Sequence, residues 1–124
     1  MIGNRKSGLA ILWLLATCMI CNGQVIVNDQ NINDLNIQYV ELVGYDIGMF
    51  KKNLVVVVDY GQKTKWSEAQ TITGEDGKPQ KFESMTGALN FMNANGWDYL
   101  DAYLVSVQGN GGGSVYHYIL KRKP

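Results

Sequence analysis

The sequence predicts an α+β fold: an antiparallel sheet of four or more strands with one amphipathic helix packed on one face, in the chain order β-β-(ribbon)-α-β-β. Three observations carry that prediction. Four segments are dense in β-branched and aromatic residues, one stretch between Ser84 and Asn95 has helical apolar spacing, and turns rich in Gly, Asn and Asp separate them. The 124 residues divide into an amino-terminal segment 1–23, a leader 24–36 and a single α+β domain 37–124.

Residues 1–23 read as a signal peptide. Arg5 and Lys6 give a positive start, Gly8 to Ile20 (GLAILWLLATCMI) is a nearly unbroken apolar run of 13 residues, and Gly23 is a small residue placed for cleavage before Gln24. A helix of that length rises roughly 20 Å, short of a hydrocarbon core of about 30 Å, so the run suits a signal peptide and not a membrane span. The expected location is therefore periplasmic or extracellular. Both cysteines, Cys18 and Cys21, lie inside this segment. Attachment to a membrane would require lipidation at Cys18, where Thr17 stands in the place that a bacterial lipobox fills with Gly, Ala or Ser.

Cleavage before Gln24 leaves 101 residues without a cysteine, so the domain must be held by its core and not by disulfides. Its 9 basic and 11 acidic side chains give a net charge of −2. Nucleic acid is not expected as a partner at that balance. The one basic cluster, Lys121-Arg122-Lys123, reads as a solvated terminus that keeps the last strand soluble.

Residues 24–36 (QVIVNDQNINDLN) are rich in Asn and Asp without a period, and read as a mostly extended leader. Asp29, Asn31 and Asn33 alternate as at the start of a calcium loop, but the sixth and twelfth positions hold Asp34 and Val40 where Gly and Glu are needed. No metal site follows. Ile37 to Tyr45 and Asn53 to Tyr60 are strands, joined by the polar stretch Asp46 to Lys52 as antiparallel neighbours. Because Leu54 to Val58 shows no alternation, that strand is expected to be central in the sheet. Asp76-Gly77 marks a turn between Thr71-Ile72-Thr73 and Gln80-Lys81-Phe82, the ribbon.

Ser84 caps the helix, which runs to about Ala94 and stops at Asn95-Gly96. Met85, Ala88, Leu89 and Met92 share one face and should press on the sheet. Trp97 to Val107 and Ser114 to Arg122 form the closing hairpin around Gln108 to Gly113. A phosphate-cradling loop needs a helix directly after its glycines, and here a strand follows, so no nucleotide cofactor is expected. Strict alternation puts Leu100, Ala102 and Leu104 on one face of the hairpin and Tyr99, Asp101, Tyr103 and Val105 on the other.

The segment Phe82 to Arg122 contains Ala88-Leu89-Asn90 in a short helix, a Gly96-Trp97-Asp98 exit, an aromatic strand and a closing Tyr116-His117-Tyr118-Ile119-Leu120-Lys121-Arg122 strand. In these features it resembles small exported bacterial proteins of unknown function whose helix ends in Gly-Trp-Asp/Glu before a carboxy-terminal β-hairpin. The likeness covers the last forty residues best. It implies the local fold, with Gly96 stopping the helix and Trp97 folding over the end of the core, and it implies no catalytic residue.

His117 is the single histidine, no Gly-x-Ser-x-Gly elbow exists, and without cysteine the mature chain lacks the usual zinc ligands. One enzymatic alternative stands: a small hydrolase-like enzyme with His117 and Asp101 as an acid and base pair on neighbouring strands. The competing expectation is a non-enzymatic binding or assembly module. Seven tyrosines fall on the strands, more aromatic positions than a helix of about 15 Å can cover. Tyr99, Tyr103, Tyr116, Tyr118, His117 and Trp97 are the candidate binding residues. A homodimer through the sheet face or an edge strand, or a peptide or glycan ligand, would cover them.

Overall fold

The computed structural model describes residues 3, 23–45, 54–64, 70–109 and 113–124. Most of the segment read as a signal peptide, the whole connection before the second long strand and the tip of the last hairpin lie outside the described residues. The α+β class with antiparallel sheets is what the chain adopts. Among the described residues seven strands and one α-helix follow in order: β1 (Ile26–Val27), β2 (Gln30–Asn31), β3 (Tyr39–Tyr45), β4 (Val55–Asp59), β5 (Ile72–Thr73), α1 (Met85–Ala94), β6 (Trp97–Ser106) and β7 (Ser114–Arg122). No helix among the described residues is long and apolar enough to cross a membrane.

The strands form a three-stranded sheet, β2-β1-β5, and a four-stranded sheet, β4-β3-β7-β6. A bridge from Val57 to Thr71 connects the two. The expectation of a central β4 is therefore corrected: β3 and β7 are central, and β4 ends the four-stranded sheet. Val57, on the face opposite Val56 and Val58, is half-buried. Val56 and Val58 are buried in the core, while the outer edge of β4 is hydrogen bonded by the ribbon, Leu54 donating to the Phe82 carbonyl at 3.0 Å and Val58 to that of Gln70 at 2.8 Å. The ribbon turns at Gly74 to Lys78, and Asp76 accepts the Lys78 N–H at 3.0 Å.

Residues 24–36 are not a plain extended leader. Asn28 and Asp29 both have positive φ, 48° and 61°, and close β1 onto β2 in a two-residue turn. A 3-10 turn, Ile32–Asp34, follows, and Val25, Val27 and Ile32 are completely buried. The segment belongs to the core because three aliphatic side chains find cover there that a solvated leader would deny them.

Helix α1 starts where Ser84 accepts the N–H of Gly87 at 3.1 Å and ends at Gly96, whose φ of 96° a side chain would resist. Met85, Ala88 and Met92 are buried, and Leu89 is half-buried against them. Gly44 on β3 lets Met85 approach, since a Cβ there would stand 2.2 Å from the methionine sulfur. The cationic tail is also corrected. Arg122 is not solvated: its guanidinium donates to the carbonyls of Ile37 (2.9 Å), Asn33 (3.1 Å), Leu35 (2.9 Å) and Ile32 (3.3 Å) and lies 4.7 Å from the centre of the Trp97 ring. Lys123 reaches the carbonyl of Asn93 near the end of α1 at 2.8 Å, a favourable place for a cation.

Candidate functional site

The closing hairpin carries the side chains of interest, and a bulge decides where they point. Tyr99 opposes Leu120 and Asp101 opposes Ile119, so Leu100 is an extra residue in β6. The strict alternation expected from the sequence fails at that residue. Tyr99 joins Ala102 and Leu104 on the inner face, with Leu120, Tyr118 and Tyr116 of β7, while Asp101, Tyr103 and Val105 lie on the outer face with Ile119, His117 and Val115. The bulge allows Trp97 to turn fully inward and Tyr103 to turn out.

The six candidate residues accordingly separate into three places. Trp97 is fully buried, with its indole Nε1 donating to Asn33 at 2.8 Å. It is a core residue and is withdrawn as a binding residue, because a ring with no exposed surface cannot meet a partner. Tyr99, Tyr116 and Tyr118 lie on the inner face. Tyr116 and Tyr118 are half-buried against the core, and Tyr99, 56% exposed, tilts against Tyr118 with ring centres 6.2 Å apart. Ala102, Leu104, Tyr116 and Tyr118, together with Tyr103, line a shallow depression of about 200 Å³.

Tyr103 and His117 occupy the outer face as a stacked pair, ring centres 4.4 Å apart and planes 8° from parallel. Glu41, on β3, completes the cluster. Its Oε1 accepts the Tyr103 hydroxyl at 2.6 Å and lies 2.6 Å from His117 Nδ1. The carboxylate beside the tyrosine holds the Tyr103 phenol above its ordinary 10, chiefly through the hydrogen bond it accepts. Asp101 does not take part. It faces Ile119, and its own carboxylate accepts the N–H of Ala102 at 2.8 Å, so the expected His117 and Asp101 pair is not formed. Sequence reasoning missed Glu41 as the partner. Alternation on β3 with His117 two strand positions away was the available signal, but only the register of β3 against β7 brings them together.

Chemically, this cluster fixes an imidazole and a phenol across three strands. Val43 and Tyr103 oppose His117 on its neighbours, and Val115 and Ile119 flank it along its own strand, so among the described strand neighbours Tyr103 alone brings a hydroxyl beside it. Among the described residues no group of His, Cys, Asp and Glu could hold a metal ion.

The more distinctive feature is the edge. β6 is ten residues long and ends the four-stranded sheet with its outer side unpaired among the described strands. Along it Tyr99, Leu100, Tyr103, Leu104, Val105 and Val107 are all between 43% and 56% exposed. Such an edge is a template for another strand. No protein-family model matches this chain, and no curated protein or solved structure matches it.

Proposed function

We propose that the chain is an exported, non-enzymatic binding or assembly module that works through β6 and the aromatic surface beside it. The observation that carries this reading is the coincidence of a ten-residue edge, unpaired among the described strands, with a run of exposed apolar side chains. Natural proteins protect long edges with charge, proline or bulges, and here that protection stops at Asp101. Helix α1 spans ten residues, about 15 Å, and leaves Leu104 and Tyr99 bare on the face it shields. Tyrosines on such a surface offer apolar area and a hydroxyl at low entropic cost.

The reading is tested on the purified chain from the exporting cell. Sedimentation should show self-association, or peptide and glycan arrays a ligand, and Leu104→Lys should weaken whichever is seen, by about tenfold or more, without lowering the melting temperature. Silence in both measurements would remove the binding reading. Export has its own test: mass spectrometry of the product outside the cytoplasm should find Gln24 at the amino terminus, and an uncut cytoplasmic chain would defeat it.

A second reading, a small hydrolase-like enzyme, draws support from the Glu41 and His117 contact, which would orient the imidazole. His117→Ala should then abolish an activity found in a hydrolase screen. Unchanged turnover would remove the histidine from any mechanism.

A further inference from the structure

We infer that the occupant of the β6 edge is a second copy of this chain, joined strand to strand about a two-fold axis at Leu104; this rests on the assembly reading above. The backbone shows which groups are available. Val107 donates to the carbonyl of Gly113 at 3.0 Å, so Val107 faces β7. Antiparallel ladders alternate, and the register runs unbroken from Asp101 to Ser106, so the N–H and C=O groups of Ser106, Leu104 and Ala102 point to the open edge. The bond from Ala102 N–H to the Asp101 carboxylate agrees, because an amide engaged by β7 would not make it.

Charge then selects the half of the strand that pairs. β6 carries Asp98 and Asp101 near its start, and no charged residue stands between Ala102 and Val107. A two-fold axis sets the strand against itself running the other way, so an axis near Asp101 would oppose like charges. The bulge at Leu100 interrupts the ladder in that half as well. An axis at Leu104 avoids both faults. Leu104 meets its own counterpart, Tyr103 meets the partner's Val105, and Ala102 meets the partner's Ser106. The two Asp101 carboxylates are then about 20 Å apart along the strand direction, beyond the roughly 8–10 Å over which salt leaves exposed charges coupled. Outward groups of Leu104 pair in both directions, and the two four-stranded sheets run on as one.

The test is a set of cysteine variants of the full chain. Leu104→Cys should form a disulfide-linked dimer under mild oxidation, since hydrogen-bonded opposing residues have Cα atoms about 5.5 Å apart, within disulfide range. A mixture of Tyr103→Cys and Val105→Cys chains should give the mixed disulfide, whereas Tyr103→Cys alone should not, its two Cα atoms being offset by about 8 Å. Peptide mass spectrometry separates these links from any through Cys18 or Cys21. Leu104→Lys, which sets two like charges on the axis, should raise the dimer dissociation constant about tenfold or more. A dimer that forms none of these disulfides overturns the inferred register and leaves the assembly reading standing. A chain that stays monomeric to high micromolar concentration overturns the second copy as occupant, and the assembly reading falls with it only if the peptide and glycan arrays are silent too.

Discussion

Asn33 engages three groups, from two other parts of the chain, with one side chain. Its Oδ1 accepts the Trp97 indole at 2.8 Å, and its Nδ2 donates to the carbonyls of Gly23 and, at 2.8 Å, Asn95. Arg122 gathers four further carbonyls of the same region. Arg122→Ala should therefore cost about 3 kcal/mol, because charged hydrogen bonds are lost and the part-buried carbonyls of Asn33 and Ile37 lose their donor, while those of Ile32 and Leu35 keep the N–H groups of Leu35 and Ile37. Arg122→Lys should recover only part of that, since a single ammonium cannot span the same carbonyls. Urea denaturation of the three chains measures both. At Tyr103 the expected outcome is in pH. Its raised phenol favours the protonated form in the folded state, so its contribution to stability is whole below the ordinary tyrosine value near 10 and is lost as pH rises through the folded one. Glu41→Gln should return the Tyr103 titration, followed by ultraviolet absorbance, toward the ordinary value.

Elements show which parts of the fold can be read in advance. The helix is legible because its signals are local: Ser84 accepts the Gly87 N–H, and Gly96 takes positive φ, as their residue types favour. The amino-terminal hairpin is not legible in the same way. Its strands are two residues each, too short to show a period, and its turn uses Asn28-Asp29 where glycine would have announced it. Glu41 and His117 meet through strand register, which no local pattern encodes. Trp97 was legible as a helix exit that folds over the core, but the outward turn of Tyr103 depends on a bulge at Leu100 that leaves no composition signal. Two substitutions follow from these geometries. A Cβ at Gly87 would meet only the Ser84 hydroxyl, at 3.6 Å, so Gly87→Ala should stabilise the protein by up to about 1 kcal/mol, read as a rise in melting temperature. Asp29→Gly should stabilise it by a comparable ~1 kcal/mol, because φ at that residue is 61°. A lower melting temperature for either chain would show that the local geometry assigned here is wrong.

Across the whole molecule, the amino-terminal hairpin and the carboxy-terminal strand hold each other. Val25, Val27 and Ile32 are buried in the same cluster as Leu120, Trp97 and the helix methionines, and β1 extends β5 into the second sheet. Burying each aliphatic side chain is worth about 1.5–3 kcal/mol. Three of them together rival a total stability of about 5–15 kcal/mol, before the loss of partners for Trp97 and Arg122 is counted. A chain beginning at Ile37 keeps β3, β4, α1 and the closing hairpin, which on a strand count alone would suffice for a domain. It should nevertheless fail to fold cooperatively. Near-ultraviolet circular dichroism should lose the signal of a fixed Trp97, and the thermal transition should broaden or vanish. Retention of a sharp transition near that of the longer chain would mean that residues 24–36 dock on a domain already complete without them.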